Sequence, residues 1–149
     1  MKFENSVLIK QPLQQVFEYV TDFNNNSAWQ TDILEMVPTS EKTFGQGTTY
    51  RCVNRFMGKA IETNWLITEF EPLRRCSISI TSRIVTGNSS LDFESLDEGT
   101  RLTTAGVLDL THFKLAGFLV KRKINQQLRN DMLKLKAVLE NGIGFKGDA

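Results

Sequence analysis

The longest periodic segment of the chain is residues 112–141, HFKLAGFLVKRKINQQLRNDMLKLKAVLEN, and the architecture follows from it. Its apolar residues recur at the helical period. They form one stripe that consists of Phe113, Gly117, Val120, Ile124, Leu128, Leu135 and Val138. Charged residues occupy the opposite side, among them Arg122, Arg129, Lys136 and Glu140. The pattern predicts an amphipathic helix on the order of 40 Å long that buries one face and ends at Gly142.

β-like runs fill most of the chain ahead of this helix. Residues 2–10 alternate weakly between polar and apolar and predict a first strand. Six further runs are bounded by turn residues, at 33–41, 48–56, 60–71, 74–84, 88–96 and 100–110. Because such short turns join neighbouring antiparallel strands, the runs predict a meander with one buried face and one solvated face.

Two short helices are predicted between the first and second strands. Pro12 occupies a favourable first position, and Leu13, Val16, Phe17 and Val20 follow at helical spacing. The polar run at 24–27 ends this helix and begins another that carries Ala28 and Trp29. Asp22 is interpreted as part of the turn between the two helices.

The order of elements predicts an α+β fold in which one seven-stranded antiparallel sheet wraps around the long C-terminal helix. Two short helices close one end of this arrangement. A sheet curved this strongly encloses more volume than the side chains of one helix fill. The architecture therefore predicts a cavity between the sheet and the helix.

Composition limits the classes of function. The chain has 149 residues with 18 Lys+Arg against 17 Asp+Glu, which predicts one domain over 1–149 and argues against binding of nucleic acid. No apolar run approaches the roughly 20 residues of a transmembrane helix, and residues 1–6 lack the apolar core of a signal peptide. We therefore expect a soluble, cytoplasmic protein in which Cys52 and Cys76 are reduced, buried thiols.

Catalytic and metal-binding motifs are not evident. His112 is the one histidine, and together with two cysteines it does not make a typical four-ligand zinc set or a nucleophile with its base. Gly45 and Gly47 precede a strand, which indicates a turn and not a phosphate loop. We therefore expect no metal, no cofactor and no residue of a recognisable catalytic set, although a site that acts by shape and a few polar groups would escape notice.

The candidate binding residues are those expected to enter the concave side of the sheet. In the predicted strand 48–56, the less charged face carries Tyr50 and Asn54. In the next predicted strand, 60–71, the face expected to point inward carries Thr63 and Trp65. Alternation and the helix stripe extend the predicted site, which consists of Tyr50, Asn54, Thr63, Trp65, Ile78, Ile80, Phe93, Gly117, Val120 and Ile124. The alternative is a filled core, and Gly117 in particular either leaves room for a ligand or allows close packing of backbone.

The start of the last helix is apolar nearly all round. Leu115, Phe118 and Leu119 project away from the buried stripe, and the basic run 121–123 follows at once. Exposed apolar residues beside basic ones are typical of a transient membrane or protein contact. The alternative is that neighbouring loops cover them.

Several motifs together resemble the START-like (SRPBCC) helix-grip superfamily, in particular its polyketide cyclase/dehydrase-type branch. They are Pro12-x-x-x-Val16-Phe17-x-Tyr19-Val20-x-Asp22-Phe23, Trp29-Gln30, Gly45-x-Gly47-Thr48, Thr68-Glu69-Phe70-Glu71-Pro72-x-Arg74-Arg75 and the long C-terminal helix. The resemblance covers essentially the whole chain in the right order. It implies the helix-grip fold, and it implies a cavity for a hydrophobic molecule without indicating which one.

The resemblance and the residue pattern lead to three functional hypotheses. The first is a domain that binds or carries a lipid, polyketide, isoprenoid or aromatic compound. The second is a cyclase, aromatase or dehydratase that uses the same cavity without a metal or a nucleophile, and the third is a protein-interaction module. A buried acid or base on the cavity wall would favour the enzyme, and a filled cavity would favour the interaction module.

Overall fold

Strands and helices follow one another in an order that matches the sequence pattern. The computed structural model describes residues 1–41, 43–56, 58–110 and 117–141. The helices within these residues are α1 (Leu13–Thr21), α2 (Asn26–Trp29) and α3 (Gly117–Asn141), with a 3₁₀ turn at Phe23–Asn25 between the first two. The strands are β1 (Lys2–Ile9), β2 (Ile33–Pro38), β3 (Thr49–Phe56), β4 (Lys59–Glu71), β5 (Arg75–Thr81), β6 (Thr86–Leu96) and β7 (Gly99–Asp109).

The strands form one sheet in the order β1-β7-β6-β5-β4-β3-β2, and each neighbouring pair is antiparallel. The meander runs from β2 to β7, and β1 then pairs with β7 along its full length. The predicted α+β architecture, with a seven-stranded antiparallel sheet, a long last helix and two short helices after the first strand, is confirmed.

Register shifts interrupt two strands. One lies between Ile33 and Glu35 in β2, and the other lies between Ile67 and Glu69 in β4. Bulges of this kind bend a strand and increase its twist. Because the β4 shift comes after Ile67, the alternation from Ile61 to Ile67 is undisturbed, and these side chains keep the facing that the sequence pattern predicts.

Helix α3 is held against the first strand by polar contacts near its C-terminal end. Lys136 Nζ donates a hydrogen bond to the Leu8 carbonyl oxygen at 2.7 Å, and Glu140 Oε2 accepts one from the Lys10 backbone N–H at 2.7 Å. Lys136 and Glu140 also form an ion pair one turn apart. The helix therefore lies across the buried face of the sheet with its C-terminal end fixed to β1.

The core consists of three clusters of buried side chains. One cluster joins α1 and the second half of α3 to β1, β6 and β7, with Ile9, Val16, Leu102, Leu135 and Leu139 fully buried. A second lies on β3, β4 and β5, around Cys52, Ile67 and Cys76. A third, smaller cluster contains Val85, Leu110 and Val120.

One turn differs from the sequence-based expectation. The pattern predicts a turn at 86–88, but β6 already begins at Thr86 and the turn lies between Thr81 and Thr86. The Ser82 hydroxyl organises it by accepting hydrogen bonds from the Ile84 and Val85 backbone N–H groups at 3.2 and 2.9 Å. Gly87 belongs to the strand, where it pairs with Ile80 and Leu108, and it has no room for a side chain because a Cβ there would lie 2.3 Å from the Val107 carbonyl oxygen.

One further boundary is corrected, since strand β2 ends at Pro38 and not at residue 41. At the start of α2, the Asn25 side chain makes no capping hydrogen bond, and its amide donates to the Tyr19 carbonyl oxygen at 3.1 Å. The predicted helix end at Gly142 lies outside the described residues. No helix among the described residues has the length and apolar character that crossing a membrane requires.

Candidate functional site

A cavity of about 210 Å³ lies between the buried face of the sheet and α3. It is located where the three core clusters meet, since Met132 of the first, Ile78 of the second and Val85 of the third are all on its wall. Its surface is largely apolar. For comparison, an apolar cavity of about 150 Å³ accommodates benzene. The predicted cavity between sheet and helix is therefore present and has room for at least an aromatic ring.

Six of the predicted binding residues are on the wall of this cavity. They are Asn54, Thr63, Trp65, Ile78, Ile80 and Ile124. The strand residues reach it because β3 and β4 alternate regularly, with Asn54 paired to Ile61 and Cys52 to Thr63 across the two strands. Phe56, on the same predicted face of β3, also contributes to the wall.

The other four predicted binding residues are not part of the cavity wall. The Tyr50 ring packs 5.2 Å from the Phe23 ring, and the Phe93 ring packs edge-on 4.9 Å from that of Phe17. Val120 belongs to the small cluster with Val85 and Leu110. These three side chains thus pack against other core residues and do not line the cavity.

Gly117 is the first described residue of α3. A Cβ at this position would meet no described atom within 4 Å, apart from its own neighbours in the chain. The close-packing alternative therefore receives no support from the described residues. Gly117 is also absent from the cavity wall.

A chain of hydrogen bonds crosses β4 and β3 and ends on a carboxylate. Trp65 Nε1 donates to Thr63 Oγ1 at 3.1 Å, and Thr63 Oγ1 donates to Asn54 Oδ1 at 2.7 Å. Asn54 Nδ2 then donates to Asp32 Oδ2 at 3.0 Å. All four residues line the cavity. This series of hydrogen bonds fixes the orientation of each side chain, and Asp32 is its terminal acceptor.

Asp131 of α3 provides a second carboxylate on the wall. Its side chain is 4% exposed, and Oδ1 accepts hydrogen bonds from the Thr31 backbone N–H at 3.3 Å and from Thr31 Oγ1 at 3.0 Å. Burial raises the pKa of Asp131 to about 6, and the nearby charge of Asp32 acts in the same direction. Burial also raises the pKa of Asp32, against the hydrogen bonds from Asn54 and Gln127.

Two further polar atoms at this end of the cavity have no hydrogen-bond partner among the described residues. They are Asn26 Oδ1 and the Trp29 indole N–H, both on α2 and both buried. Asn26 and Trp29 are on the cavity wall. Because buried polar groups nearly always have a partner, these atoms mark a place where a bound molecule would supply one.

Sequence reasoning did not select Asp32, Asp131, Asn26 or Trp29 as binding residues. A usable signal existed for Asp131. It lies between Leu128 and Leu135, within the apolar stripe of α3, where a carboxylate is out of place unless it has a partner. Asp32 and Asn26 are polar residues of a loop and a short helix, and no pattern distinguishes them from solvent-exposed ones.

The cysteines behave as buried apolar side chains. Cys52 and Cys76 are free and fully buried, and burial raises the pKa of each thiol to about 12. They are therefore protonated and unreactive at neutral pH. Within the described ranges, no group of three or more His, Cys, Asp and Glu side chains could hold a metal ion. His112 and Phe113 lie outside the described residues.

The start of α3 has exposed apolar side chains. Phe118 is 77% exposed and Leu119 is 67% exposed, and the basic run 121–123 follows. Leu115 lies outside the described residues. Contact of a membrane or another protein with this region stays a prediction.

Comparison with known sequences gives one family. Residues 1–140 match the family model described as "Polyketide cyclase / dehydrase and lipid transport". No curated protein sequence matches the chain significantly.

Solved structures with a similar fold cover nearly the whole chain. TTHA0849 from Thermus thermophilus superposes with a TM-score of 0.78 at 16% identity, covering 97% of this chain and 100% of its own. One part of the di-domain ARO/CYC StfQ from the steffimycin biosynthetic pathway superposes with a TM-score of 0.77 at 12% identity, covering 96% of this chain and 52% of its own. Ara h 8.0201 superposes with a TM-score of 0.71 at 13% identity, covering 93% of this chain and 97% of its own. At these identities the similarity establishes the helix-grip fold.

Proposed function

The chain belongs to the polyketide cyclase/dehydrase and lipid transport family, and on that basis we propose that it is a single domain that binds and carries a hydrophobic small molecule. The ligand classes that fit are a lipid, a polyketide, an isoprenoid or an aromatic compound. The observation that carries the proposal is the cavity of about 210 Å³ between the sheet and α3. Its wall combines apolar side chains with a few fixed polar groups, which is the usual composition of a small-molecule site.

Packing considerations support a binding role. Well-packed protein interiors contain few voids larger than a water molecule, since an empty cavity costs stability in proportion to its size. A void of this size at the junction of three core clusters therefore lowers the stability of a protein that never fills it. The interaction-module hypothesis, by contrast, expects a filled cavity.

The test begins with the protein as purified. Native mass spectrometry followed by solvent extraction is expected to find a bound hydrophobic molecule, or the empty protein is expected to be stabilised by a member of a panel of fatty acids, isoprenoid alcohols and aromatic polyketides. A ligand at 100 times its Kd raises the free energy of unfolding by about 2.7 kcal/mol, which a thermal-shift assay detects readily. No bound molecule and no stabilisation by any panel member would overturn the proposal.

Two matched variants of α3 connect binding to the cavity. Ile124 is on the cavity wall, and Leu133 is 55% exposed on the same helix. We expect Ile124→Trp to fill part of the cavity and to weaken ligand binding at least tenfold, whereas Leu133→Trp leaves binding unchanged. Equal binding by both folded variants would place the ligand elsewhere.

A catalytic role in the same cavity is the second candidate. The observation that favours it is Asp131, a carboxyl group on the wall whose pKa of about 6 suits proton transfer near neutral pH. A cyclase, aromatase or dehydratase of this kind would lose turnover in Asp131→Asn while it still binds its substrate. Unchanged turnover in that variant would exclude Asp131 as the acid or base.

A cytoplasmic location is part of the proposal. It is supported by two free cysteines whose thiols are buried and unpaired with each other, as is typical of proteins in reducing compartments. Transient contact of the protein with a membrane or a partner through Phe118 and Leu119 is also proposed, on their exposure and on the adjoining basic run. Vesicle sedimentation with and without anionic lipid, on the wild type and on a Phe118→Ser/Leu119→Ser variant, tests it.

A further inference from the structure

One end of the cavity carries two carboxyl groups, and neither forms an ion pair with another described residue. Asp32 and Asp131 are both on its wall, and the charge of Asp32 raises the pKa of Asp131, so the two carboxyl groups interact. No Lys or Arg of the described residues forms an ion pair with either of them. Asp131 is buried and Asp32 is partly buried. Carboxylates removed from water are normally paired with a cation, because removal of a charge from water is costly.

The hydrogen bonds that the protein supplies do not neutralise these charges. Asp131 Oδ1 accepts hydrogen bonds from Thr31, and Asp32 accepts them from the Asn54 and Gln127 side chains. All the donors involved are uncharged amide or hydroxyl groups. A carboxylate offers about four acceptor positions, so both groups retain capacity toward the cavity.

An independent observation marks the same end as a binding place. Asn26 is 1% exposed, and its Oδ1 acceptor has no partner among the described residues, although the side chain is on the cavity wall. The Trp29 N–H is likewise buried and without such a partner. The Asn26 acceptor adds to the carboxylates on this wall, so the ligand group that fits here is a donor of hydrogen bonds.

Aromatic side chains contribute to the wall of the same cavity. Phe23, Trp29 and Trp65 are on the same wall. Aromatic faces attract cations, and they do so most strongly when water is excluded. The wall therefore combines two carboxylates, an amide oxygen and aromatic rings.

We propose that the end of the cavity formed by Asp32, Asp131 and Asn26 binds the protonated amine of a hydrophobic ligand. The inference rests on the proposed binding function and specifies the ligand class. An ammonium group carries three donors and one positive charge, which matches the acceptors and the missing cation. The Trp29 N–H is a donor and serves a neighbouring oxygen atom of such a ligand.

Three basic residues lie near the site. Arg55 and Lys123 are on the cavity wall but exposed, so solvent screens their charges from a buried head group. Lys134 partly offsets the raised pKa of Asp131. None of the three forms a described ion pair with Asp32 or Asp131, and an anionic head group bound at the exposed Arg55 and Lys123 is the competing outcome that the test must distinguish.

The test uses three ligands with one chain and different head groups. Decylamine, decanol and decanoate are titrated against the purified, delipidated protein at pH 8 by isothermal calorimetry, below their aggregation concentrations. We expect decylamine to bind at least tenfold more tightly than decanol, and decanoate to bind more weakly than decanol. The decylamine affinity should fall as the pH is lowered from 8 to 5, because protonation of the carboxyl groups removes their charge.

Matched variants assign the effect to the two carboxylates. Asp131→Asn and Asp32→Asn should each weaken decylamine binding about tenfold or more, and they should weaken decanol binding much less. The exposed Asp97 of the β6–β7 turn provides the control, and Asp97→Asn should change neither. If a variant fails to fold, as judged by circular dichroism, the pH series on the wild type still decides the question.

The outcomes separate this inference from the proposed function. Equal binding of decylamine and decanol, tightest binding of decanoate, or an amine affinity that does not respond to pH would overturn the amine site while the cavity remains a hydrophobic binding site. Failure of all three ligands and of the wider panel to bind would overturn both.

Discussion

Asp131 occupies a position in α3 that an apolar residue would ordinarily fill. It is 4% exposed and next to Met132, which packs in the largest core cluster. Two hydrogen bonds from Thr31 hold its Oδ1 atom. An acid whose pKa is raised by folding binds its proton more tightly in the folded state, so its ionised form destabilises the fold. A residue of this kind is retained at a cost in stability, as is typical of functional positions.

The pH dependence of stability tests this description of Asp131. Its pKa changes from 3.8 in the unfolded chain to about 6 in the fold, so the cost develops as the pH rises through this window and is fully present above it. We expect Asp131→Asn to raise the free energy of unfolding at pH 7.5 by on the order of 2 kcal/mol, and to have little effect near pH 4. Urea unfolding of the wild type, Asp131→Asn and the control Asp97→Asn between pH 4 and pH 7.5 measures this change in the free energy of unfolding. A variant less stable than the wild type at pH 7.5 would contradict the assignment.

Asp22 is a residue whose role follows from local geometry alone. Its carboxylate accepts a hydrogen bond from the Asn24 backbone N–H at 3.1 Å and caps the 3₁₀ turn between α1 and α2, as the turn interpretation predicts. We expect Asp22→Ala to cost about 1 kcal/mol of stability, because it leaves that N–H without its acceptor. Asp22→Asn keeps an acceptor and should cost much less. Ligand affinity should hardly change in either variant, and a collapse of affinity at unchanged melting temperature would show that the turn interpretation is wrong.

Among the elements, α3 and β7 place glycine in opposite environments. Gly117 at the start of α3 has no described atom within 4 Å of the position that an added methyl group would take, apart from its chain neighbours. Gly106 in β7 lies against its neighbouring strands, and a Cβ there would be 2.1 Å from the Asn88 carbonyl oxygen and 2.9 Å from the Phe3 ring. A rigid sheet cannot move apart to admit that methyl group without loss of its hydrogen bonds.

The same substitution at these two positions should therefore have opposite effects. We expect Gly117→Ala to stabilise the protein by a few tenths to about 1 kcal/mol, since alanine is the better helix former. Gly106→Ala should destabilise it by about 1–3 kcal/mol or more through overpacking. Thermal unfolding of both variants gives the comparison. A clear drop in the melting temperature of Gly117→Ala would mean that close neighbours surround this residue.

For the molecule as a whole, the cavity is a consequence of architecture. Three clusters of buried side chains meet around it, and no single element supplies enough side-chain volume to fill the junction. Its acidic end collects residues that are far apart in the chain, since Asn26, Asp32 and Asn54 come from the first half and Asp131 comes from the last helix. The site thus exists only when α3 lies across the sheet.

The fold and the inner face of the sheet could be predicted from the sequence because periodicity is a local property. Alternation placed Asn54, Thr63 and Trp65 on the inner face, and the register shift in β4 comes too late to reverse it. The helical stripe likewise identified Ile124 and Leu128 as inward-facing, and both are on the cavity wall. The turn at Ser82 was misplaced because a serine hydroxyl that accepts backbone N–H groups resembles any other polar residue in a sequence.

What the sequence by itself determined is the order of elements, their periodicity and hence the helix-grip architecture with its cavity. Only the tertiary structure decided which polar side chains face that cavity. Tyr50 and Phe93 have the right facing but pack against other aromatic rings and are not on the cavity wall, whereas Asp32 and Asp131 reach it from positions about 100 residues apart. The physical reason is that burial and charge proximity, which raise the pKa of a carboxyl group, depend on distances between elements, and a linear pattern contains no such distances.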